Sequence, residues 1–149
     1  MRLFFLVCSL CFFTACASWK GEKSIAYKSL LELNDPVKDL NINKVKLINN
    51  QLEFAKVYAY LGRTIKPGRK IPAVDFTNQS VLVISHHIEN DRYNSLEINK
   101  ISLCRDALTI EAKETLQANL PNTAAVKFPF RIIVLETKVE VEQLNLKVN

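Results

Sequence analysis

The sequence predicts an α+β domain dominated by β structure, with six or seven mostly antiparallel strands and one main α-helix. Three observations carry that expectation. Period-two alternation of apolar and polar residues recurs over residues 96–101, 108–112 and 139–146. Residues 80–85 form a continuous β-branched apolar run, the pattern of a strand buried on both faces. Helical spacing of apolar residues is convincing in one stretch only, residues 51–61.

The N-terminus precedes that domain. Met1-Arg2 is a short positive region, and the run from Leu3 to Phe13 is apolar. Small residues follow, Thr14-Ala15-Cys16-Ala17-Ser18. This is the three-part layout of a secretory signal. The run falls short of the roughly 20 residues that cross a bilayer as a helix. Two cleavage readings are open. Phe13-Thr14-Ala15-Cys16 is similar to a bacterial lipobox, with Phe13 where Leu is usual, and would leave a lipid-modified Cys16 as the mature N-terminus. Ala15-Cys16-Ala17 is an A-x-A site that would release a soluble protein beginning at Ser18. The lipobox is preferred, because acyl chains on Cys16 contribute about 0.8 kcal/mol per buried methylene and so anchor firmly. The expected organisation is a signal over residues 1–15, a tether over 16–23 and one β-rich domain over 24–149.

Along the mature chain, Ser24 to Leu33 reads as one strand, ended by Asn34-Asp35-Pro36. Lys44 to Ile48 reads as a second. Asn50, with Glu53 three residues on, is a helix-capping pair. The helix places Leu52, Ala55 and Ala59, with Phe54, Tyr58 and Leu61, on a broad apolar face, and Gly62 stands where a stop is expected. A basic loop follows with Pro67-Gly68 at its turn. The segment Ile71-Pro72-Ala73-Val74-Asp75-Phe76 leads into the central strand. The alternating pair at 96–101 and 108–112 is joined by Cys104-Arg105-Asp106-Ala107, which suits a hairpin. Lys127 to Leu135 and Val139 to Leu146 supply the last strands.

Chemistry-bearing patterns are sparse. His86 and His87 are adjacent, so on a strand they point to opposite faces and cannot grip one ion. Of the four cysteines, Cys8 and Cys11 leave with the signal and Cys16 carries lipid, which leaves Cys104, expected to be a small buried hydrophobe. There is no G-x-S-x-G, and three glycines in the whole chain rule out phosphate-cradling loops. Asp75, Glu89, Asp91 and Glu97 are dispersed, so a hydrolase would require carboxylates that converge in space. Asp75, just before a buried strand, is expected to accept hydrogen bonds from loop amides. The net charge of +5 is scattered, without basic stripes and interleaved aromatics, so nucleic acid is not an expected partner. The reading is a non-enzymatic protein with no cofactor and no metal.

Pro72-Ala73-Val74-Asp75-Phe76, preceded by the helix at Leu52 to Leu61 and followed by Val81 to Ile84 and Phe128-Pro129-Phe130-Arg131-Ile132-Ile133-Val134, resembles the PrcB-type domain of bacterial protease-complex lipoproteins. The resemblance spans residues 44–142. That family usually shows a Gly-Gly-Tyr loop after the central strand, whereas this chain has Glu89-Asn90-Asp91-Arg92-Tyr93-Asn94, with the Tyr but no Gly pair. The resemblance implies a cell-envelope lipoprotein that assists or stabilises a secreted protease or another envelope protein. Exposed aromatics and arginines are enriched at interface centres, so Tyr93, Arg63, Arg69 and Lys70 are the candidate partner contacts. The alternative is a small-ligand or envelope-surface binder with no protein client, its pocket lying between helix and sheet.

Overall fold

The computed structural model describes residues 21–33, 45–64, 70–88, 95–116 and 129–149, with only the backbone described for 62–64. Its elements are β1 (Lys23–Ser24), β2 (Tyr27–Leu33), β3 (Val45–Ile48), α1 (Gln51–Thr64), β4 (Ser80–Ser85), β5 (Ser95–Cys104), β6 (Ala107–Thr115), β7 (Phe130–Leu135) and β8 (Gln143–Val148). The expected fold class holds: strands dominate, pairing is mostly antiparallel, and a single helix is present among the described residues.

The strands form two four-stranded sheets. A central sheet runs β2-β7-β4-β3, and an outer sheet runs β1-β5-β6-β8. Side chains of β4 and β7 alternate between two cores. Leu82, Ile84, Ile133 and Leu135 face the outer sheet and meet Leu96, Ile101, Leu108 and Ile110. Val81, Val83, Ile132 and Val134 face the other way and meet Phe54, Val57, Tyr58 and Leu61 of α1. The molecule is therefore three layers deep: helix, central sheet, outer sheet. The continuous apolar run at residues 80–85 is explained by this, because β4 has neighbours on both faces and on both edges.

The helix begins as expected. The Glu53 amide donates to Asn50 Oδ1 at 2.8 Å, and Asn50 Nδ2 reaches back to Glu53 Oε2 at 3.4 Å. Its apolar face differs from the expected one. Phe54, Val57, Tyr58 and Leu61 are buried, at i, i+3, i+4, i+7, whereas Leu52 is 69% exposed and Ala59 is exposed. Four strongly apolar side chains on one stripe, each worth about 1.5–3 kcal/mol when buried, set the rotation of the helix and turn the flanking residues outward. The helix also runs past Gly62 to Thr64.

Three strand expectations are corrected. The segment from Ser24 to Leu33 is not one strand: β1 belongs to the outer sheet and β2 to the central one, with Ile25-Ala26 passing between them. The final strand starts at Gln143 rather than Val139, and it pairs with β6 in parallel. Counting β1 and β2 separately gives eight strands among the described residues, one more than the upper expectation. The hairpin of β5 and β6 is as expected, closed by Cys104↔Ala107 with Arg105 at φ 53°.

Candidate functional site

A cleft of about 540 Å³ opens on the side of the sandwich where β1 stops. One wall is β2, which presents Tyr27, Ser29 and Glu32. The other is the start of β5, with Ser95, Leu96, Glu97 and Ile98, continued by Thr115 and Leu116 at the end of β6. Arg131 and Ile133 of β7 form the floor.

Local irregularities aim these side chains. The β2–β7 register shifts between Ser29 and Leu31, so that Leu31 drops into the core beside the helix while Glu32 lies opposite Arg131. A second shift between Ile98 and Lys100 in β5 re-aims the strand edge, and the Tyr27 hydroxyl donates to the Ile98 carbonyl there at 2.6 Å. Burial, with the Glu97 carboxylate next in effect, pushes the Tyr27 phenol pKa above its ordinary value.

Arg131 is the site residue that sequence reading missed. It is 3% exposed and occupies an inter-sheet position that its neighbours Ile133 and Leu135 fill with hydrocarbon. Its Nη2 donates to Ser95 Oγ at 2.7 Å, and its Nη1 donates to the carbonyls of Phe130 and Leu33 at 3.1 and 3.3 Å. Burial pulls its pKa below the ordinary guanidinium value, and the charge of Glu32 opposes that pull. The available signal was an Arg inside a strand otherwise made of Phe, Ile, Val and Leu.

Of the expected partner contacts, Lys70, the one whose side chain is described, does not line this cleft. Cys16, Arg69 and Tyr93 lie outside the described residues, as do Glu89 and Asp91. Arg63 sits in the last turn of α1 with only its backbone described, and Lys70 is exposed ahead of Pro72. Cys104 is exposed at the hairpin end, not buried as expected, because the strand's last residue projects beyond the two cores. Asp75 takes the structural part expected of it. Its Oδ1 accepts the Thr77 amide at 3.0 Å, its Oδ2 accepts Asn78 Nδ2 at 2.8 Å, and its carbonyl accepts the Asn78 and Gln79 amides. The Asn78 side-chain bond, then the Thr77 amide, hold its carboxyl below the usual range.

His86 and His87 diverge as adjacent strand-end residues should: His87 is exposed, and half-buried His86 places Nε2 2.8 Å from Glu114 Oε1 on β6. Among the described residues no three His, Cys, Asp or Glu side chains gather as a metal site. No described helix is long and apolar enough to cross a membrane. The chain matches no family model, no curated protein and no solved structure.

Proposed function

We propose that this chain is an exported protein, anchored by lipid on Cys16, that acts by binding another envelope or secreted protein without catalysing a reaction. The observation that carries the reading is the N-terminal pattern, a positive start, the apolar run from Leu3 to Phe13 and the lipobox-like Phe13-Thr14-Ala15-Cys16. The folded body supports it. The first strand starts at Lys23, seven residues after Cys16, a reach of at most about 25 Å of extended chain. Glu22 is already pinned there by an ion pair to Lys100 of β5 at 2.7 Å. A lipid on Cys16 would therefore hold the sandwich close to the bilayer. The domain is proposed to be of PrcB type on the segments quoted above, with a protease as one candidate client.

The test is the mass of the mature N-terminus from the native host. A diacylated or triacylated Cys16 is the expected result. A free Ser18 would make the protein soluble, and an intact Met1 would remove export altogether.

The cleft favours a second reading, a small-ligand binder. Its volume lies within the roughly 300–1,000 Å³ of ligand pockets, and its lining mixes apolar side chains with hydroxyls and charges. A ligand that displaces no protein partner, and that protects the cleft residues alone, would select this reading over the first.

A further inference from the structure

The chain enters the fold at one end of the sandwich. Lys23 lies opposite Leu103 and Ser24 opposite Ser102 in an antiparallel ladder, so the residues before Lys23 run toward the turn that joins β5 to β6. Other segments mark the same end. The link from Leu135 to β8 returns there, with the Glu142 and Gln143 amides on the Asp106 carbonyl at 3.0 and 3.1 Å. The opposite end is where Ser95 pairs with Thr115 and Ser85 with Phe130. There His86 Nε2 lies 2.8 Å from Glu114 Oε1, across the two sheets. β5 runs ten residues from one end to the other, so the two stand about 30 Å apart.

The entry point is well fixed. Ile25 is 4% exposed in the core between the sheets, and its amide donates to the Ile101 carbonyl at 2.8 Å. Glu22 extends the hold by three residues. Its carboxylate pairs with Lys100 at 2.7 Å, and a hydrogen bond with Ser102 and the charge of Lys100 keep its carboxyl below the usual range. Lys100 lies opposite Glu111, and Glu111 opposite Lys147, so Glu22 completes a row of alternating charges across the outward face of the outer sheet.

The free tether is therefore short. Glu22 follows Cys16 by six residues, a reach of at most about 22 Å, less than the length of the body. A body held at one end by a strap shorter than itself keeps that end toward the surface. Charge supplies no comparable pull. Asp106, Glu136, Glu140 and Glu142 stand with Arg105 and Lys138 at this end, all exposed, so it carries no positive excess for anionic headgroups.

We propose that the protein stands on the bilayer by its β5–β6 turn, with Cys104 to Ala107 toward the lipid headgroups and the end that carries Ser95, Thr115 and Leu116 turned away. This deepens the anchored reading above and rests on the lipid at Cys16. The end turned away includes part of the cleft lining, and it is the part presented to the space beyond the membrane.

The test uses the acylated chain in phosphatidylcholine vesicles whose headgroups carry a nitroxide quencher. With Cys16 acylated and Cys8 and Cys11 gone with the signal, Cys104 takes a fluorophore directly. The far end is labelled in Leu116→Cys with Cys104→Ser, both exposed positions. The label at Cys104 is expected to be quenched at least about threefold more than the label at the far end, because the two sites stand about 30 Å apart. High salt is expected to leave that ratio unchanged. Equal quenching, stronger quenching at the far end, or a ratio that collapses in high salt would overturn the proposal. The mass of the mature N-terminus keeps the two failures apart. An acylated Cys16 with equal or reversed quenching removes only the orientation, whereas a Cys16 without acyl chains removes the anchor and the orientation together.

Discussion

Ser80 is fully buried at the first position of β4, and its hydroxyl joins three segments distant in sequence. It donates to Asn49 Oδ1 at 2.5 Å and accepts the Val139 amide at 2.9 Å. Asn49 Nδ2 completes the ring by donating to the Val139 carbonyl at 2.9 Å. The Ser80→Ala variant removes one atom and leaves two groups short. The Val139 amide belongs to a residue only 2% exposed, so stranding it costs about 1–3 kcal/mol. Asn49 is half-buried and recovers water in part, so its lost bond costs about 0.5–1.5 kcal/mol. The expected total is about 2–4 kcal/mol, a fall in Tm of about 5–15 °C for a chain of this length. Urea and thermal unfolding of Ser80→Ala, Asn49→Ala and the double variant measure it. The double variant should fall short of additivity by about 1 kcal/mol or more, since the second change removes a partner already lost. A loss below about 0.5 kcal/mol in Ser80→Ala with an unchanged denaturant slope, or strict additivity in the cycle, would refute the network as a structural clasp.

Other consequences are equally direct. Phe54→Ala, in the core between α1 and β4, should cost about 3–5 kcal/mol, whereas Leu52→Ala, two positions earlier and exposed, should stay within about 0.5 kcal/mol; chemical denaturation separates them. The Asp75 carboxyl titrates lower in the fold than in the unfolded chain, so its contribution is full above about pH 4 and is lost as pH falls through its lowered value; Asp75→Asn should flatten that acid limb when stability is followed from pH 6 to pH 2. Cys104 is exposed, so a thiol reagent should modify it in the native protein at nearly the rate seen in denaturant, and slow modification would contradict its position at the hairpin end.

Much of the architecture was readable because its signals are local. Asn50 and Glu53 cap a helix by a contact three residues long, the apolar run at residues 80–85 can hide only between two layers, and the turn at Arg105-Asp106 joins neighbours in sequence. What stayed hidden depends on distant partners. The transfer from β1 to β2 at Ile25-Ala26 needs neither Gly nor Pro, so the alternation runs through it unmarked. Gly62 does not stop α1, and a Gly inside a helix costs only about 1 kcal/mol relative to Ala, too little to force an end by itself. The parallel pairing of β8 with β6 follows from no local pattern. The cleft joins β2, β5 and β7, and its Arg131 alternates with apolar residues as an outward-facing side chain would, although it points inward.

The two middle strands of the central sheet have no weathered side. Each apolar residue of β4 and β7 packs toward α1 or toward the outer sheet, and a change of even one methylene there disturbs the layer it meets. The outer sheet presents Thr109, Glu111, Lys113, Asn145 and Lys147 away from the core. Descendants of this sequence should therefore drift freely on that exterior while Val81 to Ile84 and Ile132 to Leu135 stay nearly frozen. A saturation library scored for survival should redraw the three layers from tolerance alone.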